Sequence, residues 1–545
     1  MRPGIEGILN RTGKGAMSYD TLLIIRLVAA SVLFAVSLIF GGLPKPVSII
    51  FLVLSAVIAG FDVGKEALSA FFEKDYFSIA FVVSAITVIA YLIGFCAEGA
   101  ALVLLYQIGL LLISYAEEKS RLSALECLKY QRSDIADSVT QLVFGEYAGF
   151  TSLENTIRRS SSFILKIAMG FALLYAIALP IFTNFSLIVS IHRALIIILI
   201  AAPASVTISM PIAAVYGLCY GAKYGVIFSS AAAMEALGES ETAIFDNAGL
   251  FSQAAPEMRA VKPEIIDTNT FIAFAAHTMY NSEQPVAKLL DSAYTGEYRT
   301  ELIDGFEELP GFGAKAFVGG APCVFGTRAM HERLGTKIPG IDGPDGRYYY
   351  LTVAGRYVGA MIVDVEVNAD TQNLVIGLNE NGMNRCVLLC EDGEAESRRI
   401  ADELDFREVY SECDTEKKLR IVSDIKSGSG KGVSYFYSVG FDGHSDADID
   451  VRVSSHSRFA DVLILPESIA NLPFAKELCA RVKEICIENA LFAFIVKAVL
   501  IFLSIIGYCN LWFAIFVDTV AAVATILNSV RVTRPSMMPA FLRRR

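Results

Sequence analysis

The segment Thr242-Ala243-Ile244-Phe245-Asp246 is an apolar run that ends in a carboxylate. A second apolar run, 386–390 (Cys-Val-Leu-Leu-Cys), is followed at once by Glu391-Asp392-Gly393. Short apolar runs bounded by polar residues and glycine indicate buried strands. In a parallel α/β sheet, functional groups collect at the carboxyl ends of the strands. We therefore expect Asp246 and Asp392 to lie at one edge of a sheet.

The same pattern continues toward the C-terminus. Residues 433–439 and 461–465 are further runs typical of strands, and the Thr415–Lys426 segment before them has a helical pattern. Strands that alternate with helices favour a parallel, doubly wound sheet. Asp442 and Asp446 come just after a predicted strand, so their carboxylates are expected at the same edge.

Segments of different character interrupt and flank this sheet. Residues 253–345 separate the first strand from the later ones and are predicted to form an inserted domain, with a hairpin-like Tyr348–Val363 segment leading back. Apolar residues concentrate in the first half and near the C-terminus. Charged residues are 19% and hydrophobic residues 54% of the chain, whereas soluble domains average about 25% charged residues. The composition predicts a membrane protein with a large internal water-soluble part.

Hydropathy and charge predict the environment of the protein and the orientation of its segments across a membrane. The net charge is −11, which provides no basic surface for a nucleic-acid partner, and the lipid bilayer is the expected environment. Because Lys and Arg concentrate on the cytoplasmic side, both termini, the 117–162 loop and the 211–488 block are expected there, in a plasma membrane. A span needs about 20 apolar residues, and eight are predicted, at 21–41, 46–62, 76–95, 97–116, 163–183, 187–210, 489–507 and 509–530.

The chain also resembles a known family. The resemblance is carried by Ala59-Gly60-Phe61-Asp62-Val63, by Tyr106-Gln107-Ile108-Gly109, by Met234-Glu235-Ala236-Leu237 running into Phe245-Asp246, and by Asn489 through Val532. Together with the spans and the interrupted sheet, these stretches are similar to heavy-metal P-type ATPases, most of all to the zinc-, cadmium- and lead-exporting branch.

The resemblance implies a fold class and its domains. The fold is expected to be an α-helical membrane bundle of about eight spans plus an α/β haloacid-dehalogenase-like phosphorylation domain with an inserted α+β nucleotide-type domain. The expected boundaries are 1–116 for four spans, 117–162 for a truncated actuator-like loop, 163–222 for two spans, 223–252 and 346–488 for the phosphorylation domain, 253–345 for the insert, and 489–545 for the last two spans and a basic tail.

The phosphorylation motif departs from the family pattern. The family's DKTGT is Asp246-Asn247-Ala248-Gly249-Leu250 here, so the nucleophilic aspartate remains and its lysine and threonines do not. Lys418 matches the family lysine that steadies the phosphate. The family's TGD is Cys390-Glu391-Asp392, so Glu391 puts an added negative charge where a transferred phosphoryl group needs neutralising donors.

Binding of Mg²⁺ and ATP is expected to be weak. The family's GDGxND is Phe441-Asp442-Gly443-His444-Ser445-Asp446, which keeps both carboxylates on the Mg²⁺ side. Alternatively, Asp442 and Asp446 are inherited caps of strand ends and loops. In the insert, the family's Ser-Glu-His-Pro is Ser282-Glu283-Gln284-Pro285, and Gly311 and Gly313 match its nucleotide-contacting GxG. A plain turn explains the two glycines equally well.

The actuator and transport motifs are also altered. The Glu117–Ser162 loop is short and lacks the family's TGES, whose glutamate positions the hydrolytic water. The family's CPC is Ala202-Pro203-Ala204, so the soft thiolates for Zn²⁺ or Cd²⁺ are gone, although Pro203 is expected to break the helix. Lys497 and Asp518 match the intramembrane pair of the zinc-exporting branch. Asp518 is a candidate metal ligand, and the alternative is a structural ion pair.

Three functions follow from these patterns. The first is a non-transporting pseudo-ATPase with a binding or regulatory role, paired with a related ATPase or another partner. The second is an atypical, active ATP-driven exporter of metal cations. The third is the product of a decaying gene.

Overall fold

The computed structural model describes residues 22–39, 45–128, 132–144, 152–202, 204–247, 250–251, 257–282, 284–309, 312–339, 346–364, 371, 373–430, 432–438, 444–454 and 460–533. The chain folds into two compact units. The first, here called the helical unit, comprises Met1–Lys223, Ser230–Glu235 and Leu478–Arg545. The second, the sheet unit, comprises Tyr224–Ser229 and Ala236–Glu477.

The described helices range in length from 6 residues to 35 residues. In chain order they are α1 (Leu22–Ile39), α2 (Lys45–Ala59), α3 (Phe61–Phe72), α4 (Ile79–Leu92), α5 (Cys96–Leu125), α6 (Ser133–Phe144), α7 (Ser152–Phe182), α8 (Leu187–Ala201), α9 (Ala204–Lys223), α10 (Ala231–Glu239), α11 (Thr268–Thr278), α12 (Pro285–Ala293), α13 (Arg328–Arg333), α14 (Leu374–Glu380), α15 (Glu394–Glu403), α16 (Thr415–Gly428), α17 (Leu472–Ile506) and α18 (Leu511–Ser529).

Apolar helices occupy all eight of the predicted span positions, but not all of them have spanning length. Among the described residues, five helical segments are long and apolar enough to cross a membrane: Leu22–Ile39, Cys96–Leu128, Phe163–Phe182, Ser468–Ile506 and Leu511–Thr533. Helices α2 and α3 pass only as a pair, which bends by 69° around Gly60. Helices α4 and α8 have 14 and 15 residues and are shorter than a span. The count of eight spans therefore stays a prediction.

Burial separates central from peripheral helices in the helical unit. Half of the apolar window of α5 is buried, compared with 17% for α1 and for α7. Helix α5 lies close against α18: a Cβ at Gly109 would come within 2.6 Å of the Thr519 Oγ1 atom. Small residues that allow close backbone approach are typical of packed membrane helices. The large exposed apolar side chains of α1 and α7 fit contact with lipid.

The segment predicted to be a truncated actuator-like loop is helical where it is described. Within 117–128, 132–144 and 152–162 the chain forms the end of α5, a short 3-10 turn, α6 and the start of α7, with no strand in these ranges. Residues 145–151, which include Gly145-Glu146-Tyr147, lie outside the described residues. The Glu235 carboxylate of α10 accepts hydrogen bonds from the Ser152 and Leu153 amides at 2.5 and 2.9 Å. A carboxylate stabilises the positive end of a helix, so Glu235 caps α7.

The main sheet of the sheet unit has seven strands. They are β1 (Val226–Phe228), β2 (Ser240–Asp246), β9 (Arg385–Leu389), β10 (Glu408–Tyr410), β11 (Gly432–Tyr437), β12 (Ile449–Val453) and β13 (Val462–Ile464), in the order β1-β13-β12-β11-β2-β9-β10. All neighbours are parallel except β1 with β13. The predicted parallel sheet is confirmed. The sequence pattern does not predict strand β12, because two of the five residues in its Ile-Asp-Val-Arg-Val sequence are charged. Asp450 is nevertheless buried in the structure.

A second, antiparallel sheet is formed by the inserted part of the chain. Its strands are β3 (Glu257–Pro263), β4 (Ile303–Leu309), β5 (Gly313–Val318), β6 (Ala321–Gly326), β7 (Arg347–Val353) and β8 (Arg356–Asp364), in the order β3-β8-β7-β6-β5-β4. The predicted boundary at residue 345 is corrected by this sheet. The β7–β8 hairpin had been assigned to the phosphorylation domain, but β7 pairs with β6 and β8 pairs with β3, so it belongs to the insert.

Candidate functional site

The carboxyl end of β2 places Asp246 beside the lysine predicted to accompany it. The Lys418 ammonium donates hydrogen bonds to both Asp246 carboxylate oxygens, at 2.8 and 3.0 Å. Both residues are buried. Helix α16 carries Lys418 and is capped at its N-terminus by Asp414, whose carboxylate accepts a hydrogen bond from the Lys417 amide. The sheet edge and the start of a helix thus bring together two residues 172 positions apart.

A second carboxylate shares the same ammonium. Glu391, in the loop after β9, accepts a hydrogen bond from Lys418 at 2.7 Å. Burial raises the pKa of Glu391 above its ordinary value, although Lys418 acts in the opposite direction. Burial tends to lower the pKa of Lys418, but Asp246 and Glu391 outweigh that effect and raise it. The ammonium therefore stays charged between two carboxylates.

Asp392 is held from the opposite side by an arginine of the insert. The Arg347 Nε and Nη2 atoms lie 2.7 and 2.8 Å from the two Asp392 carboxylate oxygens, a bidentate ion pair. Burial acts to raise the pKa of Asp392, but the Arg347 guanidinium outweighs it and holds that pKa below its ordinary value. The Asn247 side chain also hydrogen-bonds to Asp392. Sequence reasoning named Asp392 and missed Arg347, because no local pattern links them.

The loop that follows β11 is described only in part, so the prediction for Asp442 and Asp446 stays a prediction. Asp442 lies outside the described residues, and Asp446 is exposed. The buried carboxylate here is Asp450, which accepts hydrogen bonds from the Ser445 amide and hydroxyl at 3.0 and 2.6 Å and contacts His444 Nδ1 at 3.2 Å. Asp450 was missed because its strand was not recognised, and its hydrogen bonds give it a structural role in fixing the loop.

The predicted nucleotide-contacting residues are only partly described. Glu283 and Gly311 lie outside the described residues. Gly313 opens β5 with a φ of +138°, and a Cβ there would come within 2.2 Å of the Phe325 carbonyl oxygen. Close backbone packing in the sheet therefore explains this glycine without a ligand. A cleft of about 940 Å³ lies beside it, lined by Phe312 and Arg347 on one side and by Glu391 and Asp392 on the other.

The helical unit contains the predicted intramembrane pair. The Lys497 ammonium lies 2.8 Å from Asp518 Oδ1, and it also donates to the carbonyl oxygens of Ile200 and Ala202 at 2.9 and 2.7 Å. These carbonyls are at the C-terminal end of α8, where the helix dipole favours a cation. Pro203 lies outside the described residues.

A second polar contact in the helical unit was not foreseen. His192 is buried, its Nε2 lies 2.8 Å from Glu98 Oε2, and its ring stacks on Phe95. The missed signal was Glu98, a carboxylate at the start of an apolar helix.

The two cationic side chains nearest the predicted phosphorylation site, Lys418 and Arg347, are both engaged by carboxylates. A transferred phosphoryl group carries negative charge and requires cationic or N–H donors around it. Lys418 is already held by Asp246 and Glu391, and Arg347 is held by Asp392. Among the described residues, the Lys418 and Arg347 side chains are therefore both paired with carboxylates of the chain itself.

Both the sequence and the fold of this chain are similar to those of known proteins. No protein-family model matches this chain. It is 26% identical to a cadmium, zinc and cobalt-transporting ATPase of Bacillus subtilis over 324 residues, which are 57% of this chain and 45% of the relative. It is 24% identical to a zinc-transporting ATPase of Synechocystis, over 57% of this chain and 44% of that one. The chain spans about half the length of the curated relatives it matches.

Solved structures agree with these relatives. A crystal structure of a zinc-transporting PIB-type ATPase matches 94% of this chain and 100% of that one, with a TM-score of 0.59 and 19% identity. A second crystal structure of a zinc-transporting PIB-type ATPase, in a different state, has a TM-score of 0.53 and 18% identity, and the match covers 93% and 99%. The resemblance to heavy-metal P-type ATPases is confirmed, and with it the fold class: a membrane bundle, an α/β domain and an inserted domain.

Proposed function

We propose that this chain, which is similar to heavy-metal P-type ATPases in sequence and fold, is an integral membrane protein that does not transport and has a binding or regulatory role. The observation that supports this is the Lys418 ammonium, held at 2.7 Å by Glu391 and at 2.8 Å by Asp246. In a phosphorylating site that charge would instead be available to the incoming phosphoryl oxygens.

The charge balance around Asp246 explains why phosphorylation is disfavoured. Attack on ATP would place further negative charge beside Asp246 and Glu391, which already share the Lys418 ammonium. Electrostatic stabilisation of the developing charge is usually the largest contribution to such a reaction. Opposing charge at this point raises the barrier. The residual capacity for Mg²⁺ and ATP is accordingly proposed to be weak.

The wider setting of the protein is part of the same proposal. The sheet unit and both termini lie on the cytoplasmic side of the plasma membrane, since basic residues flank the first and last apolar segments. The partner is a related ATPase or another regulatory protein. Transport of Zn²⁺ or Cd²⁺ is not expected, because the sequence has alanines where the family has thiolates.

One observation favours a second function, an atypical active exporter of metal cations. Lys497 and Asp518 form an ion pair at the end of α8, the position expected from the zinc-exporting branch. Intramembrane ionisable residues are often functional. The two charges also compensate each other, so the pair supports a structural role equally well.

Phosphoenzyme formation separates the two functions. The full-length protein in detergent would be incubated with radiolabelled ATP and Mg²⁺, with and without Zn²⁺ or Cd²⁺, and quenched in acid. We expect no acid-stable label above that of an Asp246→Asn control, and no metal-stimulated phosphate release. Label that requires Asp246 would contradict the proposal and support the exporter. Glu391→Gly tests the cause, because label appearing in that variant alone would identify Glu391 as the blocking group.

A further inference from the structure

The cleft in the sheet unit is bridged by charged side chains from its two sides. One wall belongs to the insert and contributes Phe312, Arg333 and Arg347. The other wall belongs to the carboxyl edge of the seven-stranded sheet and contributes Asp392 and Asp414. Each arginine forms an ion pair with an aspartate of the opposite wall. The two ion pairs therefore connect the insert to the domain that carries Asp246.

The Arg347–Asp392 pair is the stronger bridge. It is bidentate, with contacts of 2.7 and 2.8 Å, and its side chains are 21% and 7% exposed. Two parallel N–H donors to one carboxylate fix orientation as well as distance. Breaking one partner of a buried pair leaves the other charge uncompensated. This contact thus restrains the start of β7 relative to the loop after β9.

The Arg333–Asp414 pair is the weaker bridge. Its atoms are 3.6 Å apart, and both side chains are 45% exposed. Exposed ion pairs contribute little by themselves. The Arg333 guanidinium also lies 4.5 Å from the Phe312 ring centroid, so it covers that aromatic face from the cleft. Asp414 caps the helix that carries Lys418, which brings this bridge close to the Asp246 site.

We propose that Arg347 and Asp392 form a latch that holds the insert against the carboxyl edge of the main sheet and keeps the cleft closed. The latch is a conformational device, and it does not depend on whether Asp246 can be phosphorylated. While it is closed, Asp392 is not available to a ligand. An anion or a partner protein that pairs with Arg347 would open the cleft.

A distance measurement on the full-length protein in detergent tests the latch. Exposed serines on the two sides, Ser292 of α12 and Ser427 of α16, would be changed to cysteine and spin-labelled. The two partly exposed native cysteines, Cys96 and Cys127, would first be changed to serine. Pulsed electron–electron double resonance then measures the distribution of distances between the two spin labels, one on the insert and one beside the main sheet.

Asp392→Asn is expected to add a longer-distance population that the unaltered chain lacks. The matched control is Glu408→Gln, which removes a carboxylate from another bidentate arginine pair, Arg385–Glu408, whose members lie on adjacent strands of one sheet. That control should leave the distribution unchanged.

The charge swap Arg347→Asp with Asp392→Arg should return the distribution to its original form. An Asp392→Asn distribution identical to that of the control would overturn the latch. Opening without rescue by the swap would overturn it too, since it would show a general disturbance of the loop. Detection of a phosphoenzyme would contradict the proposed function and leave this result untouched.

Discussion

The two units of the molecule each contain a buried lysine with a carboxylate partner, but the charges around the two lysines are balanced differently. In the sheet unit, Lys418 is shared by two carboxylates, Asp246 and Glu391. In the helical unit, Lys497 pairs with the Asp518 carboxylate and with two backbone carbonyls. The first group has an excess of negative charge, whereas the Lys497–Asp518 pair is neutral.

This difference determines how each site responds to mutation. Where one cation faces one carboxylate in a membrane, removal of either breaks the charge balance of the pair. Where one cation faces two carboxylates, removal of one carboxylate relieves a repulsion. A lysine thus balances the charge of one carboxylate in the helical unit, whereas in the sheet unit it only partly offsets the repulsion between two carboxylates.

The largest effect is expected at the balanced pair. Lys497→Met or Asp518→Leu alone should lower the free energy of unfolding by about 3–5 kcal/mol, because each breaks one side of a buried ion pair. The double variant should recover most of that loss. Thermal and denaturant unfolding in detergent would measure it, with Lys65→Met, at an exposed lysine of the same unit, as the control. Additive losses in the double variant would show that the pair carries no coupling.

A third buried lysine can be compared with these two, because its ammonium donates hydrogen bonds to backbone carbonyls. Lys476 donates to the carbonyl oxygens of Leu237, Gly238 and Ser240, at 2.9, 2.6 and 2.5 Å. Lys476→Met should lower the free energy of unfolding of the sheet unit by about 2–3 kcal/mol, since buried acceptors lose their donor. Lys426→Met, at a half-exposed lysine, is the control. A loss no greater than that of the control would contradict this account.

The smallest effect, and the only gain, is expected at Glu391. Glu391→Gln should raise the free energy of unfolding by about 1 kcal/mol at neutral pH, because it removes a negative charge beside Asp246 and keeps an acceptor for Lys418. The folded-state pKa of Glu391 is raised. The folded wild-type protein therefore binds this proton more tightly than the unfolded chain does, and it loses stability as pH rises from the ordinary carboxyl pKa through the raised value.

The advantage of the variant should therefore be greatest at about pH 7–8 and shrink toward about pH 4–5, near the ordinary carboxyl pKa. Urea unfolding of both proteins across that range is the measurement. A difference in stability that stays constant with pH would mean that the pKa of Glu391 is the same in the folded and the unfolded protein. A variant less stable than wild type at neutral pH would mean that Glu391 is a favourable partner of Lys418, and it would weaken the proposed function.

Local sequence was sufficient for four of the seven strands of the main sheet, β2, β9, β11 and β13. The runs that end at Asp246 and at Cys390 predict buried parallel strands, because such strands are covered on both faces and are apolar throughout. The position of Asp246 at a strand end follows from the same pattern. The pairing of Asp246 with Lys418 came only from the family resemblance, since no local pattern connects residues 172 positions apart.

Other features could not be predicted in this way. The local sequence pattern of the β7–β8 hairpin is compatible with either sheet. Only its pairing with β3 and β6 assigns it to the insert. Strand β12 carries Asp450, a charge that local rules place at the surface, but a loop that folds back supplies its hydrogen bonds. In both cases the deciding contacts come from outside the segment itself.

Side-chain pattern over a few residues was enough to predict which segments are apolar enough for a membrane, where four of the seven strands of the main sheet run, and which carboxylate ends β2. Tertiary structure alone decided which charges meet: Glu391 with Lys418, Arg347 with Asp392, and Lys497 with the end of α8. Charge pairing depends on distance and burial, and the folded chain sets both by bringing remote segments together.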